Sequence, residues 1–305
     1  MTSLSATFSR QLPKLELNLP LVAGVLLVMG FVICAALAPW LAPFDPLTPS
    51  VLTSEGRRLP LPYPPGTGDM ILGSDHLARD LLSRLIHGAR FTLAFATITA
   101  LTRLLIGVLL GMTAGWFVAV ARVVNAVGAA VAAIPALLFG VIIVSLLPND
   151  GSLSKTLLLA FLLGLTGWAE VSSRCLTAVR ELRTRPFVEA AATIGRRPLG
   201  VLLRHILPNM RGLLLTEAAY AVAAALLLIA ELGILRIYVA GSVFATNEVY
   251  LTPVVDPVHP DWSGMIAVGS PWFQSAPWLV WLPLLAFTLA ILGFYLLAEG
   301  LRRQR

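Results

Sequence analysis

The stretch TRPFVEAAATIGRRPLGVLLRHILPN, residues 184–209, indicates the organisation of this chain more sharply than any other. Pro186 suits the first position of a helix, and Glu189 then falls in the first turn, where a carboxylate complements the helix dipole. Gly195 can adopt the left-handed conformation that ends a helix, and Pro198 can begin a second one. The stretch therefore predicts two short helices joined by a tight turn.

The consecutive alanines Ala190, Ala191 and Ala192 are expected to give the first helix a flat surface on which a partner protein can pack closely. Pro208 is expected to end the second helix. A plain amphipathic connector between two larger elements fits the same spacing. The residues alone leave both interpretations open.

Outside this stretch the chain is apolar. Of its 305 residues, 57% are hydrophobic and 12% are charged, whereas soluble domains carry roughly 25% charged residues. A membrane-spanning helix needs about 20 mostly apolar residues. Six segments meet this requirement, and they lie near residues 21–43, 91–117, 122–147, 156–172, 212–235 and 277–298.

Two of these spans have special features. Pro135 is expected to kink the third span, which neighbouring helices can tolerate. The first span follows Arg10 and Lys14 and could be a signal peptide. Its length and the position of Pro39 favour an uncleaved anchor instead.

The distribution of positive charge predicts the orientation. Most Lys and Arg residues fall in the N-terminal segment 1–20, the loop 173–211 and the tail 299–305. The positive-inside rule places these segments and both termini in the cytoplasm. The Pro- and Gly-rich segments 44–90 and 237–276 are then extracytoplasmic, as ordered caps or short helices. The same distribution accounts for the net charge of +6 without a nucleic-acid partner.

The sequence has no recognisable catalytic or metal site. Its only lysines, Lys14 and Lys155, do not lie in a GxxxxGK[ST] loop, so any ATP chemistry would belong to a partner. Cys34 and Cys175 lack CxxC spacing and are expected to be small buried apolar residues. The four histidines show no HExxH pairing. The chain is therefore not expected to be an enzyme.

Ionisable residues within the spans are costly in lipid and should face the bundle or a wet path. Arg103 and Glu231 are candidates for a pore or gate. Glu217 is interpreted as an interfacial residue that reaches water. In the segment before the second span, Asp75 and Asp80 are expected to share a helix with Arg79 and Arg84 and to form local ion pairs with them.

Gly107, Gly111 and Gly115 repeat at intervals of four and share one face of the second span. Such a face allows close approach of another helix. The partner helix could lie within the bundle or in a sister subunit.

The stretch Glu189-Ala190-Ala191, followed by Gly195 and Leu207-Pro208, resembles the EAA loop of ABC-importer permeases. His205 replaces the Ile of the general pattern, and the peptide-type branch often has R-H-x-L-P-N here. Two further stretches, residues 72–90 and 260–278, resemble signatures of permeases for dipeptides, oligopeptides and nickel. Within the first of them, Ala78 replaces the usual Gly. Residues 236–259 look like an insertion relative to this family.

This resemblance implies an all-α membrane protein with the type I importer permease fold. A first transmembrane helix would be followed by a five-helix core over residues 91–298, which carries a cytoplasmic coupling helix. It also implies a second homologous permease, two ATP-binding subunits and an extracytoplasmic solute-binding protein as partners. ATP and Mg would be bound by the ATPase subunits and not by this chain. The expected location is a bacterial or archaeal plasma membrane.

Two other functions are open from the sequence. A secondary transporter driven by an ion gradient would show internal repeats, and none is convincing. A membrane-embedded enzyme such as an intramembrane protease would need a nucleophile–base pair or paired carboxylates within the spans. Neither is present in the sequence.

Overall fold

The computed structural model describes residues 18–147, 152–246, 253–257 and 259–304. Residues 1–17, which make up most of the predicted N-terminal segment, lie outside the described ranges, as does Arg305 of the tail. The helices are α1 (Leu19–Ala36), α2 (Ala38–Leu41), α3 (Leu81–Trp116), α4 (Val118–Ala132), α5 (Ala136–Leu146), α6 (Leu153–Gly164), α7 (Trp168–Arg183), α8 (Pro186–Thr193), α9 (Pro198–Val201), α10 (Leu207–Asn209), α11 (Arg211–Ile234), α12 (Trp262–Gly269) and α13 (Trp278–Arg302).

Short strands form two antiparallel hairpins. Strands β1 (Thr53–Ser54) and β2 (Arg57–Arg58) pair in one, and strands β3 (Ser242–Thr246) and β4 (Pro253–Pro257) pair in the other. In the second hairpin Ser242 stands opposite Pro257. A π-helical turn covers Leu202–Ile206, and a 3-10 turn covers Ser270–Trp272.

Helices α1, α3, α11 and α13 are each long and apolar enough to cross a membrane. The pairs α4 with α5 and α6 with α7 pass the same test jointly, which gives up to six spans within the described ranges if each bent pair counts as one. All six segments identified from the sequence coincide with these helices or pairs. The chain is a multi-pass membrane protein.

The second span begins earlier than predicted. Helix α3 starts at Leu81 and not at 91, because Asp80 caps its N-terminus by accepting a hydrogen bond from the Ser83 backbone N–H at 2.7 Å. The first turns contain Ser83 and Arg84, which lower the hydropathy of this part of the sequence. Both side chains are buried against the rest of the chain. Hydropathy alone therefore placed the start of the helix too late.

Two spans are broken. Helix α4 ends before Pro135 and α5 begins after it, with an angle of 79° between them, so the kink predicted at Pro135 is present. A second break, between α6 and α7, bends the chain by 50°. This break was not predicted from the sequence. The fourth span, predicted to end at residue 172, continues as α7 to Arg183 through charged turns.

The three glycines of α3 lie directly against α7. A Cβ atom at Gly107, Gly111 or Gly115 would stand 2.6 Å from a Cβ of Val171, Cys175 or Val179 respectively. The two helices can approach this closely only because the glycines have no side chains. The glycine face of α3 thus packs within this chain.

Helix α1 packs along α13. A Cβ at Gly24 would overlap the Leu297 backbone, and a Cβ at Gly300 would overlap the Leu21 backbone. The Asn18 amide donates to the Gly300 carbonyl at 2.7 Å. This close packing makes α1 part of the helix bundle.

The segment 44–90 is tied to the segment 237–276 by buried ion pairs. The Arg79 guanidinium donates to both oxygens of Asp256 at 2.7 and 2.8 Å, and its Nε donates to Asp75 at 2.8 Å. The Arg84 Nε lies 3.3 Å from Asp75. All four side chains are buried. Asp256 lies within the apparent insertion, which therefore docks on a motif of the preceding segment.

The local ion pair predicted for Asp75 and Arg79 is present, but the helix predicted to carry it is not. Residues 75–79 form a tight loop before α3, in which Ala78 has a φ of +62°. This is the left-handed conformation that favours glycine, and glycine is the usual residue at this place in the resembling motif. Burial alone would raise the pKa of Asp75, but Arg79 and Arg84 outweigh it and hold that pKa well below its usual range.

His76 is also buried beside these ion pairs, and burial lowers the pKa of its imidazole. Within the described ranges, no group of His, Cys, Asp and Glu side chains could hold a metal ion.

We expect Gly111→Val to destabilise the protein, because the added side chain would meet the Ser172 carbonyl and the Cys175 side chain within 2.6 Å. Overpacking of this kind costs about 1–3 kcal/mol. The thermal unfolding midpoint of the purified protein in nanodiscs should fall. Gly30→Ala is the matched control, since a Cβ there meets nothing within 4 Å. Equal midpoints for the two variants would contradict the close packing of α3 on α7.

We expect Asp256→Asn to loosen the β3–β4 hairpin, because the buried Arg79 charge loses its bidentate partner. Removing one member of a buried ion pair costs about 3–5 kcal/mol. Limited proteolysis of this hairpin and thermal unfolding would measure the effect. Glu181→Gln removes an exposed partner of Arg185 and should cost at most about 1 kcal/mol. A hairpin as resistant as that of the unmodified protein would show that the ion pair does not hold it.

Candidate functional site

A cavity of about 770 Å³ opens inside the bundle. It lies between α3, α7, α11 and α13 and reaches the break between α4 and α5. A cavity of this size is in the range that holds small-molecule ligands. The residues on its wall that matter for its chemistry are Arg103, Pro135, Thr166, Gly167, Glu170, Arg174, Glu217, Tyr220 and Glu231.

Both breaks in the spans lie at this wall. Pro135 and Ala136 come from the break between α4 and α5, and Thr166 and Gly167 come from the break between α6 and α7. Interrupted backbone is tolerated at membrane depth only where it is covered by protein or lines a water-filled cavity. The cavity thus lies beside both breaks.

Arg103 projects from α3 onto the second break. A Cβ at Gly167 would overlap the Arg103 guanidinium, so the absence of a side chain at Gly167 leaves room for it. The Arg103 Nη2 donates to the Thr166 hydroxyl at 3.4 Å. Only 7% of the residue is exposed. The structure thus places this candidate pore residue at the cavity, in contact with the α6–α7 break.

The acidic residues of the cavity differ in their surroundings. Glu217 is 4% exposed and accepts a hydrogen bond from the Arg174 Nη1 at 2.7 Å. Its interpretation as an interfacial residue reaching water is therefore wrong: the side chain turns into the bundle because a cation on α7 faces it. Arg174 also lies over the Tyr220 ring at 6.0 Å and 3.8 Å from Glu170.

Glu231, the second candidate pore residue, also lines the cavity from α11. About 21 Å of helical rise separates it from Glu217 on the same helix. Arg174 and Gly167 were not singled out from the sequence. Arg174 falls in the predicted cytoplasmic loop 173–211. The Thr-Gly dipeptide before Trp168 is the sequence signal for the break between α6 and α7.

A second surface is built by residues 184–210. Helix α8 begins at Pro186, as predicted, and Gly195 follows it with a φ of +74°, the left-handed conformation expected at a helix end. Helix α9 begins at Pro198, also as predicted. Pro208, however, does not end the second helix. The chain continues through a π-helical turn and α10 to α11, because the wider turn accommodates a residue that lacks a backbone N–H.

Helix α8 has two distinct faces. Val188 and Ala191 are buried in an apolar cluster with Val201, Ile206 and Met210, and only 4% of Ala191 is exposed. Phe187 and Ala190 of α8 are exposed, as is Ile194 directly after the helix. The expectation that the alanines jointly face a partner is therefore wrong for Ala191, which packs against its own chain.

The remaining residues of this surface differ in exposure. Glu189 and Pro208 are exposed, whereas Leu207 and His205 are partly buried. The His205 carbonyl accepts a hydrogen bond from the Asn209 amide at 2.6 Å.

One apolar cluster joins the two sites. Val171 of α7 lines the cavity and belongs to the same cluster as Val188 and Ala191 of α8. Cys175 and Val179 continue this cluster along α7 between them. A displacement of α8 would thus be transmitted through contiguous packing to the wall of the cavity.

Comparisons with known proteins identify the family of this chain. A family model described as a binding-protein-dependent transport system inner membrane component matches residues 104–303. The chain is 32% identical to the di/tripeptide transport system permease protein DppC of Pseudomonas aeruginosa, over 92% of this chain and 85% of that protein.

Two more distant relatives cover similar shares. The dipeptide transport system permease protein DppC of Haemophilus influenzae is 26% identical, over 99% of this chain and 97% of its own length. The oligopeptide transport system permease protein OppC of Bacillus subtilis is 24% identical, over 92% and 82%. This chain therefore belongs to the family of inner membrane components of binding-protein-dependent transport systems, the permease subunits of ABC importers.

Proposed function

We propose that this chain is the transmembrane, pore-forming subunit of an ATP-driven importer for peptides or a related small solute. The observation that carries the proposal is the continuous apolar packing between the exposed helix α8 and the cavity wall on α7. An importer subunit needs a path for solute and a surface that receives work from a motor. The names of the relatives supply the solute class.

The path is the cavity between α3, α7 and α11. Arg103 and Glu231 are its candidate pore or gate residues, since both line it and lie within the spans. These polar side chains within the spans would offer hydrogen-bond partners to a polar solute, which the apolar side chains around them cannot do.

The surface that receives work is the exposed face of α8. Phe187 and Ala190 would enter a groove on a cytoplasmic ATPase subunit, and Glu189 would lie at its edge. Gly195 ends the helix sharply, and Leu207 and Pro208 lead the chain back into α11. Closure of the ATPase subunits on ATP would push α8 and tilt α7 through the shared cluster.

The remaining subunits of the transporter are inferred from the family. A second permease would complete the pore, and two ATPase subunits would bind ATP and Mg, because this chain has no phosphate-binding loop. An extracytoplasmic solute-binding protein would dock on the segments 44–90 and 237–276. This orientation places both termini in the cytoplasm and the chain in a bacterial or archaeal plasma membrane.

The direct test of importer function is uptake by the complete complex. In proteoliposomes that contain this chain with its partner subunits, labelled trialanine should accumulate only when ATP and the binding protein are supplied. Accumulation by this chain alone, or accumulation driven by an ion gradient without ATP, would contradict the proposal.

We expect Ala190→Cys to form a disulfide with a cysteine placed in the groove of the ATPase subunit, because residue 190 lies on the exposed face of α8. Ala191→Cys is the matched control on the same helix and should not cross-link, since residue 191 is 4% exposed. Electrophoresis without reducing agent would separate the products. Cross-linking of the control but not of Ala190→Cys would contradict the assigned docking face.

A further inference from the structure

Arg103 is a buried cation at the cavity wall without a carboxylate partner among the described residues. Its residue is 7% exposed, and its Nε has no hydrogen-bond partner within the described ranges. Its one hydrogen bond to a described residue, from Nη2 to the Thr166 hydroxyl, is long at 3.4 Å. A cation within a span that has no paired carboxylate is costly, so such a residue usually serves a function.

Glu170 is the acidic residue whose charge acts on Arg103. It does not form an ion pair with it, because no carboxylate oxygen of the described residues lies within 4.0 Å of Arg103. The Glu170 side chain is 79% exposed and lies 3.8 Å from Arg174 instead. Arg174 is in turn engaged with Glu217 at 2.7 Å. Of the two arginines that line this cavity, Arg103 is therefore the one whose charge is not paired with a described carboxylate.

Two helix N-termini lie at the same wall. Helix α5 begins at Ala136 beside Pro135, and helix α7 begins at Trp168 beside Gly167. Neither terminus has a side-chain cap. The N-terminus of a helix carries a partial positive charge and favours anions. Interrupted membrane helices use such ends to hold the anionic groups of a substrate.

We propose that Arg103, supported by the N-termini of α5 and α7, forms a binding point for the carboxylate group of a zwitterionic solute inside the cavity. The cavity also contains Glu231, which forms no ion pair within the described ranges. Its acidic residues disfavour a simple anion, but they tolerate a solute that also carries an ammonium group. The inference rests on the proposed function, and it assigns to Arg103 the recognition of the solute's carboxylate group.

The test measures binding to the complete transporter in nanodiscs, without ATP and without the binding protein, whose own selectivity would otherwise enter. The probes are ¹³C-labelled trialanine, its C-terminal amide and inorganic phosphate, observed by saturation-transfer NMR. Trialanine should bind about tenfold more tightly than its amide, since a hydrogen bond to a charged group is worth about this factor or more. Arg103→Gln should bind trialanine only as well as the amide and so lose the preference for the free carboxylate.

Two companion variants separate recognition from structure. Arg103→Lys keeps the charge and should keep part of the preference for the free carboxylate. Glu170→Gln should preserve or increase that preference, because it removes a competing acid. If Arg103→Gln does not fold, Gly167→Ala makes the same comparison, since the added methyl group displaces the guanidinium and should lower the preference.

Three outcomes would overturn the proposal. Equal weakening of trialanine and its amide by Arg103→Gln would make Arg103 a structural residue. Loss of the preference in Glu170→Gln would make Glu170 its resident partner. If phosphate competed for the site as strongly as trialanine, Arg103 would belong to a general anion site. ATP-driven uptake of trialanine by the unmodified complex is scored separately, so that failure of the importer function would be distinguished from failure of this site.

Discussion

The hydrocarbon core of a bilayer offers the backbone no hydrogen-bond partners, and this constraint decides where the spans of this protein can be interrupted. A break leaves amide and carbonyl groups without their helical partners. In this chain the breaks before Ala136 and before Trp168 both fall on the wall of one cavity. Interrupted backbone and cavity therefore lie together in this chain.

The same region is joined by apolar packing to helix α8, which is expected to lie on the cytoplasmic side. Glycines on α3 let α7 approach so closely that α7 can scarcely move independently of α3. The apolar cluster along α7 then continues to Val188 and Ala191 of α8. Close-packed interiors transmit displacement, because a gap or an overlap between side chains is costly. Helix α8 is therefore anchored to the bundle by one face, while its other face is free to meet a partner.

Buried ion pairs join the segments 44–90 and 237–276. The hairpin of β3 and β4 is joined to the loop before α3 by the buried pair of Arg79 and Asp256. Buried ion pairs contribute little net stability compared with apolar packing, but breaking one is costly. Such a contact fixes the position of the hairpin relative to the loop before α3. The surface expected to meet the binding protein is thus built from two distant parts of the chain.

The sequence by itself determined the six apolar segments, the kink at Pro135, the start of α8 at Pro186 and its end at Gly195. Each of these depends on local properties: the length of an apolar run, the missing N–H of proline and the conformational freedom of glycine. The family could also be identified from three motifs, because each motif is one continuous stretch of sequence.

The tertiary structure alone decided which side chains meet. It buried Ala191 and exposed Ala190, although both belong to one motif. It turned Glu217 toward Arg174, started α3 at Leu81 and joined Arg79 to Asp256. It also placed Arg103 on the wall of the cavity that both helix breaks line. These results depend on contacts between residues far apart in the chain, and neither hydropathy nor local spacing carries information about such contacts.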